Sequence, residues 1–162
     1  MRVTSPLFAV FMIGMMGALP GVARAGSLAG FADCPVAVAA KHGPMPRLTF
    51  TDAQARHYSS VIRDAARGPV NFAGHYILAT WGCGSGCVMA AAIDAKTGRV
   101  TSLPFTVSDW PTDVTEPLAY RADSCVLIVH GSRNERAEHG TYHYAFDGKA
   151  FSLRKTASEF KR

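Results

Sequence analysis

The sequence predicts an α+β fold, in which one N-terminal helix packs on a disulfide-stapled antiparallel β-meander of about six to seven strands. Residues 51–67 show the apolar periodicity of an amphipathic helix. From residue 76 onwards, short apolar runs alternate with turn-forming residues, which is typical of strands. The chain has 162 residues and four cysteines, enough for one domain with two disulfides.

Residues 1–25 are interpreted as a signal peptide, followed by a single α+β domain of residues 26–162. Arg2 supplies a positive charge, Leu7–Leu19 is an uncharged apolar run, and residues 23–25 read A-R-A, the pattern of a cleavage site. The apolar run is shorter than the roughly 20 residues that a membrane-spanning helix needs. The sequence therefore predicts a periplasmic or secreted protein without a membrane span.

The charge of the mature chain is mildly positive and argues against a nucleic-acid partner. The full sequence has 17 Lys and Arg against 12 Asp and Glu. Removal of Arg2 and Arg24 with the signal peptide leaves 15 basic residues against 12 acidic ones, a formal charge of +3. No run of basic residues is present. Because the chain also carries an export signal, the expected partner is a protein or a cell-envelope component.

All four cysteines lie in the predicted mature chain, and an even count in an exported protein predicts two disulfides. Three connectivities are open. The favoured pairing joins Cys83 to Cys87, which face each other across a tight turn, and Cys34 to Cys125. The second bond would attach residues 26–50, an irregular lead-in that three prolines interrupt, to the body of the domain.

Residues 51–67 form the predicted helix. Thr51 and Gln54 are spaced as a capping box at its start, and Gly68–Pro69 ends it. The helix has one apolar stripe, so it is expected to lie on an apolar surface. The residues of this stripe are Ala55, Tyr58, Val61, Ile62 and Ala65.

The segment after the helix contains two apolar strands, Tyr76–Trp81 and Val88–Ile93. They are joined by the turn G-C-G-S-G-C, which is too rich in glycine for a helix. A long loop, residues 106–117, and a charged loop, residues 131–140, separate the later strands. These later strands are predicted at Arg99–Phe105, Leu118–Arg121, Cys125–His130, Thr141–Phe146 and Ala150–Arg154.

Residues 71–76, N-F-A-G-H-Y, and residues 81–87, W-G-C-G-S-G-C, together resemble a group of uncharacterised small exported proteins of Gram-negative bacteria. Residues 140–142, G-T-Y, and residues 146–148, F-D-G, are similar to the same group. The resemblance covers most of the mature chain. It implies no particular activity.

The order of elements is similar to that of the periplasmic inhibitor of vertebrate lysozyme family: a signal peptide, a helix, and then a short Cys-loop-Cys segment between two strands. In that family a disulfide-closed loop enters the lysozyme cleft, with a histidine of the loop as the working group. The resemblance implies that Cys83 and Cys87 occupy the ends of this loop. The loop of this chain, G-S-G, is shorter and has no histidine.

The rim of the Cys83–Cys87 loop is the predicted binding surface. Two glycines remove side chains from around the serine of the loop, so that another surface can approach closely. Two tryptophans offer aromatic surface, although tryptophan is usually part of a core. An Asn–His pair beside a glycine lines a pocket or, alternatively, forms a structural Asx turn. The candidate binding residues are Asn71, His75, Trp81, Gly84, Ser85, Gly86 and Trp110.

A binding or inhibitor-like module is therefore the expected function, with no cofactor, no metal and no catalytic residue assigned. The alternative is an envelope enzyme that uses His75 with Cys83 or a bound metal. The histidines considered as metal ligands are His75, His130, His139 and His143. A third possibility is an accessory domain without a small-molecule site. The C-x-x-C motif of oxidoreductases does not occur. The sequence leaves the oligomeric state open.

Overall fold

A computed structural model describes residues 30–39 and 43–161 of the chain. The predicted signal peptide, residues 1–25, lies outside these ranges, as do the first residues of the predicted lead-in. In the described part of the chain, no helix combines the length and the apolar character that crossing a membrane requires.

Within the described ranges, the chain forms one 3-10 turn, two α-helices and nine strands. The turn is Phe31–Asp33, and the helices are α1 (Ala53–His57) and α2 (Ser59–Ala65). The strands are β1 (Thr49–Phe50), β2 (Tyr76–Gly84), β3 (Cys87–Asp94), β4 (Arg99–Ser102), β5 (Val107–Ser108), β6 (Leu118–Tyr120), β7 (Val126–Arg133), β8 (Glu138–Phe146) and β9 (Phe151–Lys161).

All nine strands belong to one mixed sheet. In its first half, β3 pairs with β2 along one side and with β4 and β5 along the other. In the second half, β7 pairs with β5 and β6 along one side and with β8 along the other, and β9 follows β8. The two-residue strand β5 therefore connects the two halves. It does so near the start of β3 and the end of β7.

The predicted α+β class is wrong. The structure is mainly β, with a nine-stranded mixed sheet and only two short helices in the described residues. The sheet is also not a purely antiparallel meander, because β1 runs parallel to β4. Both two-residue strands fall where the sequence predicts no strand: β1 lies in the lead-in and β5 in the long loop. They become strands because longer neighbours offer them partners, which local sequence does not reveal.

The predicted helix over residues 51–67 is interrupted at Tyr58, where φ is −93° and ψ is 22°, so that α1 and α2 are separate. The cap also differs from the prediction. Asp52 is the N-cap, and its carboxylate accepts a backbone N–H of α1 at 2.7 Å. The Thr51 hydroxyl instead donates to the carbonyl oxygen of Val100 in β4, at 2.7 Å. This bond attaches the start of α1 to the sheet.

The sheet folds over itself and encloses the larger core between its two halves. The Tyr76 ring of β2 lies edge-to-face on Phe146 of β8, with ring centroids 4.9 Å apart. Phe72, just before β2, stacks on Phe151 of β9 with centroids 6.3 Å apart. All four side chains are buried, and such aromatic pairs add about 0.5–1.5 kcal/mol beyond the area that they bury. These contacts hold the two halves face to face.

The β2–β3 hairpin is buried on both faces. Side chains alternate along a strand, so Leu78 and its partner Ala92 face the larger core. Ile77 and its partner Ile93 face a second core beneath the two helices, to which α2 contributes the fully buried Ile62. The hairpin is therefore the middle of three layers, which explains why its two strands read as nearly continuous apolar runs.

The predicted disulfide pairing is confirmed. Cys34 is bonded to Cys125 across a separation of 91 residues, and Cys83 to Cys87 across a separation of 4. Beside the first bond, the Cys125 N–H donates to the Cys34 carbonyl oxygen at 3.0 Å. This disulfide thus fastens the N-terminal segment to the strand edge next to β7, whereas the second closes the β2–β3 turn. Two disulfides are compatible with an extracellular or periplasmic location.

The two disulfides are expected to differ in their contribution to stability. Because the loop-closure entropy grows with loop length, the Cys34–Cys125 bond should contribute about 4.5 kcal/mol and the Cys83–Cys87 bond about 2 kcal/mol. Urea unfolding of the two double Cys→Ser variants measures these losses. A Cys83/Cys87 variant that is less stable than the Cys34/Cys125 variant would contradict this assignment.

Candidate functional site

A row of polar side chains crosses the middle of the sheet. Cys87 of β3 pairs with Ser108 of β5, which pairs in turn with Ser132 of β7. Ser132 pairs with His139 of β8. Directly paired residues project from the same face of a sheet, so these four residues, here called the polar row, stand side by side. Both serines and the histidine are buried, which is unusual for polar side chains.

Two loops lie over the polar row and are hydrogen-bonded to it. Ser132 closes the β7–β8 loop, because its hydroxyl donates to the Arg136 carbonyl oxygen at 2.7 Å. His139 holds the β5–β6 loop, with its Nδ1 3.2 Å from the Asp109 carbonyl oxygen. A carbonyl oxygen only accepts, so Nδ1 carries the proton in this contact. The polar row thus fixes the position of both loops.

Asn134 attaches the β7–β8 loop to the segment just before β5. Its side-chain oxygen accepts the N–H of Thr106 at 3.1 Å, and its own N–H donates to the Thr106 carbonyl oxygen at 3.0 Å. Asn134, Glu135 and Asp109 all have left-handed backbones, with φ of 53°, 57° and 49°. Asparagine and aspartate adopt this conformation more readily than other residues with side chains, whereas a glutamate such as Glu135 holds it only where the surrounding structure enforces it.

Gly131 allows β5 to lie directly against β7. Its φ is +122°, which favours glycine. A Cβ at this position would overlap the Ser108 carbonyl oxygen and would lie 3.2 Å from the Trp110 backbone nitrogen. The close approach places Ser108 within the polar row and Trp110 beside it.

A pocket of about 490 Å³ opens between the Cys83–Cys87 loop and the two covering loops. We call it the rim pocket. It brings together three of the predicted binding residues, Ser85, Gly86 and Trp110, although Trp110 is distant from the loop in sequence. The eight residues that line it are Ser85, Gly86, Cys87, Ser108, Asp109, Trp110, Thr112 and Glu135.

The remaining loop residue among the candidates, Gly84, does not line the rim pocket. It is exposed, with φ of +138°, and a Cβ built on it would meet no atom within 4 Å. Gly86, with φ of +62°, has equally open surroundings. The loop backbone on both sides of Ser85 therefore carries no side chain and has open space around it.

Asn71 and Trp81 have structural roles away from the rim pocket. The Asn71 side-chain oxygen accepts the N–H of Leu78 at 2.7 Å, and its amide nitrogen donates to the Leu78 carbonyl oxygen at 3.3 Å. Asn71 thus pairs with β2 as a strand would. The Trp81 side chain is buried in the core beneath the helices, with its ring centroid 5.2 Å from that of Tyr58.

His75 and Cys83 are not brought together. His75 precedes β2 and Cys83 lies near its other end, so at about 3.3 Å per residue some 25 Å separates them. Cys83 is also bonded to Cys87, and the described chain contains no free cysteine. A thiol nucleophile activated by this histidine has no support in the geometry.

The environment of His75 favours its neutral form. Burial lowers the pKa of His75, and the nearby Lys96 lowers it further; these effects outweigh Asp94, whose carboxylate is 3.6 Å away and raises it. That carboxylate already accepts the N–H groups of Lys96 and Thr97 and the Thr97 hydroxyl. The contact between His75 and Asp94 is therefore not a charged pair near neutral pH.

The histidines considered as metal ligands have separate surroundings. His130 Nδ1 lies 3.2 Å from the Thr141 hydroxyl oxygen, His139 contacts Asp109, and His143 is buried beside a different cavity. Over residues 30–39 and 43–161, no three His, Cys, Asp or Glu side chains are grouped in a way that could hold a metal ion.

That second cavity, of about 470 Å³, lies beside the Cys34–Cys125 disulfide, and its acidic groups are already occupied. Asp33 accepts the Gly30 N–H at 2.7 Å. Asp147 accepts the N–H groups of Lys149 and Ala150, and these bonds lower its pKa. Arg154 supplies a positive charge in the same lining.

The acidic groups of the rim pocket, unlike those of the second cavity, are available to a ligand. Neither the Asp109 nor the Glu135 carboxylate takes part in a hydrogen bond or ion pair within the described ranges. Asp109 and Glu135 are not among the binding residues predicted from the sequence, and neither are Ser108 and Thr112. The long loop that contains Trp110 could have indicated Ser108, Asp109 and Thr112, because they lie in the same loop. Glu135 reaches the pocket only through the pairing of β5 with β7, which the local sequence does not reveal.

Comparisons with protein-family models, with curated proteins and with solved structures found no match. The two resemblances described from the sequence therefore stay predictions. The chemistry of the site follows from its own residues: an open pocket with carboxylates, hydroxyl groups and one indole ring, which is suited to binding.

The histidines give a prediction for stability against pH. Burial lowers the pKa of both His75 and His130 below the ordinary value of 6.5. As the pH falls, these two histidines therefore take up protons in the unfolded chain before they do so in the folded chain. The free energy of unfolding should be at its full value above about pH 7 and decrease as the pH drops through about 6.5. Thermal unfolding across this window should show the loss.

The variants His75→Gln and His130→Gln should each reduce that loss. His57→Gln is the matched control, since His57 is exposed on α1. Equal pH dependence in the wild type and in the two variants would contradict the prediction.

Proposed function

We propose that this chain is an exported binding module, periplasmic or secreted, which captures a protein or another cell-envelope component through the rim of the Cys83–Cys87 loop. One observation carries the proposal: the rim pocket, where the loop meets Trp110 and the turn at Glu135. The predicted signal peptide and the two disulfides support export.

The rim is organised before any partner arrives. Three side-chain hydrogen bonds fix both covering loops. They join Ser132 to Arg136, Asn134 to Thr106 and His139 to Asp109. A surface that is already ordered loses less conformational entropy on binding, so more of the contact energy appears as affinity. This favours a recognition surface over a solvated pair of loops.

The Cys83–Cys87 loop has the shape of an element that inserts. Its disulfide closes too few residues to contribute much stability, and the flanking strands already pair beside it. The bond therefore serves mainly to fix the shape of the turn. Because Gly84 and Gly86 carry no side chains, a partner can reach the backbone on both sides of Ser85. An inhibitor-like mode, in which the loop enters a cleft of the partner, fits this shape.

The enzymatic alternative has less support. His75 and Cys83 are at opposite ends of β2. Within the polar row, Ser108 and His139 are separated by β7, and strands two positions apart lie about 10 Å apart. The Nδ1 of His139 is occupied by the Asp109 carbonyl oxygen. No serine or cysteine of the site is thus hydrogen-bonded to a histidine that could act as its base.

The proposal predicts that a bulky side chain at the rim blocks capture. Thr112 is exposed and lines the rim pocket, so Thr112→Arg should fill the pocket and neutralise its carboxylates. Thr115→Arg is the matched control, because Thr115 is exposed in the same loop but does not line the pocket. Immobilised protein is incubated with cell-envelope extract, and the bound components are compared by mass spectrometry.

We expect at least one component to be retained by the wild type and by Thr115→Arg, and lost with Thr112→Arg. Both variants should keep the far-ultraviolet spectrum and melting temperature of the wild type. If the two variants retain the same components as the wild type, the binding surface is not the rim.

A further inference from the structure

We infer that the rim pocket receives a positively charged side chain, a lysine or an arginine of a partner protein. The inference rests on the proposed function and adds the chemistry of what is recognised. Three features of the pocket carry it: two carboxylates and one buried hydroxyl group that have no hydrogen-bond partner among the described residues, and one indole ring.

The carboxylates of Asp109 and Glu135 give the pocket a negative charge. The chain as a whole has a formal charge of +5, yet none of the residues that line this pocket is basic. The two arginines of the β7–β8 segment, Arg133 and Arg136, both lie outside the pocket lining, and Arg133 is engaged by tyrosines. Its guanidinium lies 3.7 Å from the centre of the Tyr142 ring and donates to the Tyr144 hydroxyl at 2.8 Å. The pocket is thus acidic, and its charge is left for a ligand.

Trp110 supplies an aromatic wall beside these carboxylates. It is half-buried and packs against the larger core, so its position is fixed while part of its surface stays accessible. A cation over an indole ring is attracted by the negative face of the ring, and the attraction is stronger when water is excluded. Carboxylates beside an indole ring form a site for an ammonium or guanidinium group.

Ser108 is the independent indication of a ligand. Only 7% of this residue is exposed, it lines the rim pocket, and its Oγ has no hydrogen-bond partner among the described residues. A buried hydroxyl group without a hydrogen-bond partner destabilises the folded chain. The two carboxylates and the Ser108 hydroxyl group can accept hydrogen bonds, and the side chains of lysine and arginine only donate. A cationic side chain therefore complements the pocket in charge and in hydrogen bonding.

The test is a titration followed by two-dimensional ¹H–¹⁵N NMR of the full mature protein. The probes are Nα-acetyl-lysine amide and Nα-acetyl-arginine amide, with Nα-acetyl-citrulline amide as the neutral analogue of arginine. The indole N–H signal of Trp110 reports on the pocket. The signal of Trp81, which is buried in the core beneath the helices, reports on the fold.

We expect both cationic probes to shift the Trp110 signal in a saturable way and to leave the Trp81 signal unchanged. The citrulline probe should bind at least about tenfold more weakly, since it lacks the charge. Asp109→Asn and Glu135→Gln should each weaken binding of the cationic probes about tenfold. Asparagine tolerates the left-handed backbone at residue 109, so this variant keeps the loop. Asp113→Asn, outside the pocket lining, should bind as the wild type does.

Equal binding of the arginine and citrulline probes would overturn the inference. So would a Trp110 signal that no cationic probe shifts, or wild-type affinity in both carboxylate variants. If the probes fail while Thr112→Arg still abolishes capture from envelope extract, this inference fails and the proposed function stands. If Thr112→Arg captures normally, the proposed function itself fails.

Discussion

The close approach of β5 to β7 at Gly131 joins the two halves of the sheet and sets the positions of the loops around the site. β5 has only two residues, yet it is the strand that pairs with both β3 and β7 and so makes one sheet of two halves. Its carbonyl at Ser108 occupies the place where any side chain at residue 131 would lie. Because the contact is made by backbone atoms, it fixes the relative position of the two halves closely.

The rim pocket is a consequence of the same contact. Once β5 lies on β7, the polar row forms, and its buried serine and histidine hold the two loops through the carbonyl oxygens of Arg136 and Asp109. The Cys83–Cys87 loop projects next to them because Cys87 pairs with Ser108. Core burial on both faces of the β2–β3 hairpin supplies the stability that lets these loops keep left-handed backbones.

Local patterns predict the β2–β3 hairpin and the Cys83–Cys87 disulfide, because an apolar run, a glycine turn and a cysteine pair are each visible within a few residues. That pairing leaves Cys34 and Cys125 for the second disulfide. The fold class is missed because the two-residue strands have no local signature and because the apolar stripe of residues 51–67 continues through Tyr58, where the helix breaks. Within the site, Ser85, Gly86 and Trp110 are noticeable by residue type. Glu135 looks like part of a solvated loop, since its place beside Asp109 depends on strand pairing over a long sequence distance.

Amide hydrogen exchange of Gly131→Ala, measured by mass spectrometry, shows directly whether the contact between β5 and β7 holds the two halves and the loops in place. Gly82→Ala is the matched control, since a Cβ there would meet its nearest neighbour, the Cys87 carbonyl oxygen, at an ordinary 3.8 Å. We predict faster exchange in residues 105–114 and 131–138 of Gly131→Ala, with β2 and residues 89–94 of β3 unchanged, and wild-type protection in Gly82→Ala. Wild-type protection of residues 105–114 and 131–138 in Gly131→Ala would show that the contact at Gly131 does not hold β5 and the two loops in place.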